Sequence, residues 1–207
     1  RTDGRVTVAI PVRNMEKWVG AAIQSVLSQT FSDLELMVFD DASTDGTLAE
    51  IQKFTDTRMK LFQVKDQNIG PNAAQNQMLA ACTTDFFMVL AADDVIEPTC
   101  IERLVGEFKK DPWLEFAATQ TDFIDETGAL YKGEHGFKQI LKASQKPREI
   151  WLHQLYYGNQ YFGVGLYRTD TAKALGGWDT TVGVLGDYDM YLKLLQRENI
   201  FVNEENL

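Results

Sequence analysis

Two pairs of adjacent aspartates follow apolar stretches that predict buried strands. Asp40 and Asp41 come after LELMVF, and Asp93 and Asp94 come after FFMVLAA. Because ligands of an open parallel sheet bind beyond the carboxyl ends of its strands, we expect both pairs at one edge of the sheet. Clustered carboxylates repel one another unless a cation joins them, and Mg²⁺ or Mn²⁺ takes carboxylate oxygens, water and substrate phosphates as ligands. The other interpretation is that these acids cap helices or form turns.

The overall charge of the chain favours the same chemistry. Its 207 residues include 20 Lys and Arg against 30 Asp and Glu, a formal net charge of -10, and no stripe of basic residues occurs. Binding to a nucleic-acid backbone is therefore disfavoured. An anionic substrate such as a diphosphate would be repelled unless a divalent cation lay between it and the protein, and that cation could also assist departure of the phosphate.

The first half of the chain predicts the elements that position the acids. Strands are expected at 5–12, 34–39, 59–64 and from Phe86 onward, and helices at 16–30, within 42–54 and at 68–82. Strands that alternate with helices in this way are typical of repeated βαβ units. The predicted fold class is therefore α/β, with a doubly wound, mostly parallel, Rossmann-like sheet.

The second half predicts a small antiparallel addition to that sheet. Its elements are a helix at 98–110, a strand at 113–124, a mobile loop at 131–148, a short helix at 149–159 and a strand at 160–167. A helix from 169 that ends at the Gly176-Gly177 pair and a last helix at 187–199 follow. His135 falls in the loop and His153 on a helix rich in aromatic residues. Surface and core roles are expected for these two histidines, rather than metal binding.

Composition indicates one soluble globular domain. Apolar residues make up 44% and charged residues 24% of the chain, as in ordinary folded proteins. Cys82 and Cys100 match no zinc or redox motif, so buried thiols in a reducing compartment are expected. Because no apolar run is long enough to span a bilayer and no signal peptide precedes the first strand, the sequence predicts a cytoplasmic protein. Its abrupt ends suggest a piece of a longer one.

Three blocks of the sequence resemble family 2 inverting glycosyltransferases, which have the GT-A fold and use nucleotide-diphosphate sugars. The blocks are VTVAIPVRNMEKWVGAAIQSVLSQTFSDLELMVFDDASTDGT, NIGPNAAQNQMLAACTTDFFMVLAADDV and GGWDTTVGVLGDYDMYLKLL, and together they lie within 5–198. The resemblance implies one catalytic domain, with a nucleotide-sugar-binding half at 1–110 and an acceptor-side half at 111–207. It also implies a UDP-sugar donor and a Mn²⁺ or Mg²⁺ cofactor. The implied acceptor is a saccharide or lipid-linked saccharide of the bacterial cell envelope, with the full-length protein associated peripherally with the inner face of the membrane.

By position, the resemblance also assigns residues to the donor side of the site. Pro11, Arg13 and Asn14 would lie under the nucleotide, Asp41 would accept a hydrogen bond from the base, usually uracil, Asp93 would lie near the ribose, and Asp94 would bind the metal on the diphosphate. Both predicted acid pairs would thus contribute to binding of the donor.

On the acceptor side, Asp187 matches the acid that serves as catalytic base. It would take a proton from the acceptor hydroxyl while the hydroxyl oxygen attacks the anomeric carbon and the diphosphate leaves, so that the configuration inverts. The other interpretation of Asp187 is a helix cap. Trp178 and Asp179 would help to form the acceptor side, or else are a core tryptophan beside a turn aspartate.

Three positions depart from the pattern of that family. Gln75 stands where Arg is usual, Ala91 where the acid run usually begins with Asp, and Gly186 where Glu usually precedes the base. These departures favour a second hypothesis, a protein that binds sugar nucleotides without transferring the sugar. A third is a phosphoacceptor signalling domain, because an acid pair after a strand suits Mg²⁺-assisted aspartyl phosphorylation. The Lys that it requires is missing from the fifth strand, WLEFAATQTDFI.

Overall fold

The computed structural model describes residues 4–120, 122, 124, 125, 127–130, 164–197 and 199–206. Several predictions from the sequence lie outside the described residues: the loop at 131–148, the helix at 149–159, the first part of the strand at 160–167, and both His135 and His153.

Strands and helices alternate through the first half of the chain. They are β1 (Val6–Val12), α1 (Val19–Leu27), β2 (Leu34–Asp41), α2 (Thr47–Ile51), β3 (Met59–Val64), α3 (Pro71–Ala81), β4 (Phe86–Val89) and α4 (Cys100–Lys110). The described elements that follow are β5 (Phe116–Gln120), β6 (Gly165–Arg168), α5 (Thr169–Ala174), a 3₁₀ turn (Gly183–Leu185), α6 (Gly186–Leu195) and β7 (Ile200–Asn206). The βαβ order predicted for the first half is confirmed.

The strands form one sheet with the order β3-β2-β1-β4-β6-β5-β7. The first four strands in that order are parallel, and β6 runs antiparallel to both of its neighbours. β7 then pairs parallel with β5. The α/β class and the antiparallel addition toward the C-terminus are therefore as predicted. Strand order reverses between β1 and β4, the position where open α/β sheets bind ligands.

The core lies on both faces of the sheet, because alternate residues of each strand point to opposite sides. Val8 and Ile10 of β1 and Leu36 of β2 pack toward α1 and α4 in one cluster. Ala9 and Phe39, from the same strands, pack on the other face in the cluster with α3, α5 and α6. This two-sided burial explains why the strands are nearly continuous apolar runs.

The chain leaves the sheet abruptly after β4, earlier than the apolar run suggests. The Leu90 N–H still donates to the carbonyl of Ala9 at 3.0 Å, and β4 itself ends at Val89. The next residues turn out along the carboxyl edge and carry Asp93 and Asp94 there. Among the described residues, no helix is both long and apolar enough to cross a bilayer.

Candidate active site

A cavity of about 570 Å³ opens at the carboxyl ends of β1, β2 and β4. Four carboxylates from three separate parts of the chain line it: Asp41, Asp93, Asp94 and Asp187. The predicted convergence of acids on one edge of the sheet is therefore found, with one exception. Asp40 is buried away from the cavity, where it accepts hydrogen bonds from the backbone N–H of Ser43 and from Gln63 Nε2, both at 3.2 Å.

Asp41 shapes the end of the cavity beside β2. One carboxylate oxygen accepts the backbone N–H of Ile69 at 2.7 Å, and the other accepts that of Gly70 at 2.8 Å. Gly70 has a φ of 85°, a left-handed conformation that glycine adopts without strain, and it directly precedes α3. Asp41 thus ties β2 to the start of α3, and each of its oxygens keeps capacity for a further hydrogen bond.

The three residues predicted to lie under a nucleotide separate into two groups. Pro11 and Arg13 line the cavity at the end of β1, as expected. Asn14 is not among the lining residues, and its Oδ1 instead accepts the backbone N–H of Thr44 at 2.8 Å. With a φ of 54°, Asn14 holds the loop between β2 and α2 against the end of β1.

Asp93 and Asp94 form the negatively charged side of the cavity. Part of Asp94 is open to solvent, but partial burial of its carboxylate, together with the neighbouring charge of Asp93, raises the pKa of Asp94 to about 6. Within the described residues, no three His, Cys, Asp or Glu side chains group closely enough to hold a metal ion by themselves. A Mg²⁺ or Mn²⁺ ion here would take its other ligands from water and a substrate diphosphate, which suits a cation that keeps several waters. Asp94 fits such an ion, because positive charge would offset the cost of ionising this carboxylate.

Asp187 lies in the first turn of α6 and lines the same cavity as Asp41. Its Oδ1 accepts a hydrogen bond from Trp178 Nε1 at 2.9 Å, so it is held by the indole and does not cap the helix. Part of the side chain is open to solvent, but burial of the carboxylate raises the pKa of Asp187, and the indole hydrogen bond opposes that rise. Asp189, two residues on, instead pairs with Lys193 at 2.5 Å.

Trp178 is both a core residue and part of the cavity wall. It is 2% exposed, and its ring packs against Phe87 and Tyr167 at centroid distances of 6.1 and 5.7 Å. Asp179 does not line the cavity, and its Oδ1 accepts both the N–H and the hydroxyl of Thr181. Of the two predicted acceptor-side residues, only Trp178 therefore faces the cavity.

Two asparagines on α3 hold the segment that carries Trp178 and leads to Asp187. Asn76 Oδ1 accepts the Trp178 N–H at 2.9 Å, and its Nδ2 donates to the Trp178 carbonyl at 2.7 Å. Asn72 Nδ2 donates to the carbonyls of Asp179 and Gly183 at 2.9 and 2.7 Å. Sequence reasoning missed this clamp, because its partners lie more than a hundred residues apart and only the fold brings them together.

The same clamp explains why position 186 is glycine. A Cβ atom on Gly186 would lie 2.4 Å from Asn72 Oδ1 and 2.5 Å from its Nδ2, so the Asn72 amide occupies the space that a side chain would need. Gly186, one of the three departures from the family pattern, therefore leaves the space that the Asn72 side chain on α3 fills.

Gly186→Glu is accordingly expected to displace the 3₁₀ turn and the start of α6, lowering the free energy of unfolding by about 1–3 kcal/mol. Denaturant unfolding measures this loss. Gly106→Glu is the control, because nothing lies within 4 Å of a Cβ added at that helical glycine. Adding Asn72→Ala to Gly186→Glu should restore part of the loss. Strictly additive effects of the two changes would contradict the steric explanation.

Sequence reasoning also missed two tyrosines of the cavity wall, Tyr167 on β6 and Tyr191 on α6. Burial raises the pKa of both phenols, so they are neutral at pH 7. The helical spacing of Tyr191 marks a buried face of α6, but only pairing of β6 with β4 brings Tyr167 to the same wall.

Comparison with known proteins identifies the family. The model of the family described as glycosyl transferase family 2 matches residues 7–173. Among curated proteins, Escherichia coli chondroitin synthase is 29% identical over 192 residues, which is 91% of this chain and 26% of that protein.

Solved structures support the same fold. S. aureus TarS, also solved with UDP and with UDP-GlcNAc, superposes with a TM-score of 0.75 at 19% identity, over 98% of this chain and 58% of that one. The mannosyltransferase PcManGT from Pyrobaculum calidifontis, solved with GDP-Man and Mn²⁺, superposes with a TM-score of 0.69 at 17% identity, over 98% and 55%. The chain thus spans about a quarter of the chondroitin synthase and little more than half of the solved chains. Since the family model covers most of its length, the chain belongs to glycosyl transferase family 2.

Proposed function

We propose that this chain transfers a sugar from a UDP-sugar to a hydroxyl group of a saccharide or lipid-linked saccharide, with inversion and with assistance from a divalent cation. The observation that carries the proposal is that Asp41, Asp94 and Asp187 line one cavity at the point where strand order reverses. The UDP and UDP-GlcNAc complexes of TarS support the donor class, and the polysaccharide named in chondroitin synthase supports the acceptor class.

The nucleotide would occupy the end of the cavity beside β1 and β2. Asp41 has both oxygens held by backbone N–H groups, so the carboxylate is fixed in place, and a base N–H can donate to its remaining lone pairs. Arg13 is the one Arg or Lys among the described lining residues, and its guanidinium would offset part of the charge of the phosphates.

The diphosphate would lie over the turn after β4. Asp94 would hold the cation, and Asp93 would lie toward the ribose. When bound, the cation would offset the charge of the diphosphate and stabilise it as it leaves.

The transfer step needs a base on the face of the sugar opposite the diphosphate, and Asp187 is suited to this role. Trp178 holds Oδ1, and no described residue donates a hydrogen bond to Oδ2, so Oδ2 can take the proton of an acceptor hydroxyl. That oxygen then forms a bond to the anomeric carbon as the bond from this carbon to the diphosphate oxygen breaks. The proton remains on Asp187 until solvent removes it. The raised pKa of Asp187 makes it a stronger base than an ordinary carboxylate.

Donor binding can be tested by calorimetry and thermal shift with UDP, UDP-GlcNAc, UDP-glucose and GDP-mannose, each with Mn²⁺ and with EDTA. We expect a UDP-sugar to raise the melting temperature in Mn²⁺, with a stabilisation of about 2.7 kcal/mol when the ligand is at a hundred times its Kd. GDP-mannose is the control for nucleotide selectivity. Equal affinity in EDTA and Mn²⁺ would contradict the metal assistance, and no binding of any of the four would contradict the donor class.

A cytoplasmic location at the inner face of a membrane is part of the proposal. The buried free thiols of Cys82 and Cys100 support the cytoplasmic part of it, because free thiols are expected in a reducing compartment.

A further inference from the structure

Gln75, in the second turn of α3, has a buried polar atom without a partner. The residue is 5% exposed and lines the cavity. Within the described part of the chain, its Oε1 makes no hydrogen bond. Most buried polar atoms are paired, because an unpaired one loses its water and gains nothing in return. An unpaired acceptor in a cavity wall is therefore a candidate contact for a ligand.

Helix α3 carries Gln75, and hydrogen bonds link this helix and the residue before it to Asp41 and Asp187. One turn before Gln75, the N–H of Gly70 at the start of α3 is bound to Asp41. The residue after it, Asn76, is bound to the backbone of Trp178, whose indole is bound to Asp187. Gln75 lines the same cavity as Asp41 and Asp187, so a molecule bound in that cavity can reach its amide.

Three side-chain donors on α3 and on the segment that it holds are already used. Asn76 Nδ2 donates to the Trp178 carbonyl, Asn72 Nδ2 donates to two carbonyls, and Trp178 Nε1 donates to Asp187. A partner for Gln75 Oε1 from these groups would require one of these hydrogen bonds to break. The missing donor is therefore more readily supplied by a bound molecule.

We propose that Gln75 Oε1 accepts a hydrogen bond from an N–H or O–H group of the nucleotide sugar and so helps to select the donor. The inference rests on the proposed function. Its chemistry is opposite to that of an arginine at this position, because a guanidinium only donates and carries charge. The N–H or O–H group could belong to the base or to the sugar, and the two sources are distinguishable with UDP and UDP-GlcNAc.

The test compares Gln75→Met, which keeps the length of the side chain and removes its polar atoms, with wild type. Calorimetry in Mn²⁺ should show UDP-GlcNAc binding weakened about 3- to 12-fold, the worth of one ordinary hydrogen bond. Equal weakening for UDP would place the donor group on the base or the ribose, and weakening for UDP-GlcNAc alone would place it on the transferred sugar. Gln52→Met, at an exposed position after α2, is the matched control and should bind like wild type.

A second measurement separates ligand recognition from a structural role. Without ligand, Gln75→Met should melt at or above the temperature of wild type, because it removes an unsatisfied buried atom. Gln75→Leu repeats both measurements if the Met variant does not fold. Binding of both ligands within twofold of wild type, or a lowered melting temperature with unchanged binding, would overturn the inference. Wild-type protein that binds neither ligand would instead overturn the proposed function.

Discussion

Asp187→Asn should lower the rate of sugar transfer by about 10²–10⁴-fold while leaving the affinity for UDP within about twofold of wild type. Asparagine has the shape of aspartate and can still accept the indole hydrogen bond of Trp178, but its amide cannot take a proton from an acceptor hydroxyl. UDP release with oligosaccharide acceptors measures the rate, and calorimetry measures the affinity.

Asp189→Asn is the matched control for this change. It removes a carboxylate from the same turn of α6, but one that pairs with Lys193 and does not line the cavity. Its transfer rate should therefore equal that of wild type. If Asp187→Asn transferred sugar at the wild-type rate, another group would be the base. If wild type bound UDP-sugar but released no UDP, the chain would bind sugar nucleotides without transferring sugar.

The pH dependence of Asp187 has a defined sign. Burial raises the pKa of this carboxylate in the folded chain, so the folded state disfavours its ionised form. The resulting loss of stability is absent below the pKa of the unfolded chain, about 3.9, and grows as pH rises toward the folded value. Asp187→Asn should therefore melt higher than wild type at pH 7 and lose this advantage in acid. The transfer rate of wild type should rise with pH as Asp187 ionises, at a pH above the ordinary range of aspartate.

The sequence was sufficient to predict the parallel half of the sheet, because strands buried on both faces leave apolar runs that alternate with helical periodicity. It also predicted that Asp41, Asp93 and Asp94 would meet, since parallel strands end at one edge. The alternation of a strand could have corrected one expectation: Asp40 and Asp41 are consecutive residues of β2, so both cannot point into the same cavity.

Other features of the site could not be predicted, because they depend on contacts between distant segments. Asn72, Gln75 and Asn76 share one part of α3. The first and last bind backbone near residues 178–183, whereas Oε1 of Gln75 has no partner within the described part of the chain. The sequence around these three residues does not indicate which amide will be bound and which will not. Likewise, Asn14 and Asp179 have side chains suited to ligand binding but turn to neighbouring loops. Residue type predicts what a side chain can do, and the fold decides where it points.

The second large effect is expected for Asp94→Asn, which should abolish the gain in UDP affinity that Mn²⁺ gives. An amide oxygen is a weaker ligand for a hard cation than a carboxylate. In Mn²⁺, the affinity for UDP is expected to fall roughly 10–100-fold. Substitution of residues that only orient a metal ligand already lowers metal affinity by this factor. Calorimetry of UDP binding in Mn²⁺ and in EDTA measures the fall in affinity, and the EDTA value should not change.

Without metal, the same variant should be more stable than wild type at pH 7. Partial burial and the charge of Asp93 raise the pKa of Asp94 to about 6, so ionisation of this carboxylate opposes folding. This cost is absent below the pKa of the unfolded chain, about 3.9, grows as pH rises to about 6, and is fully present at pH 7. Asp66→Asn, which removes an exposed carboxylate outside the cavity, is the control for a change in net charge and should alter neither property. Asp94→Asn with an undiminished Mn²⁺ effect would mean that another group holds the cation. A higher melting temperature together with a lost Mn²⁺ effect would show that Asp94 is kept ionised, at a cost to stability, because the cation requires it.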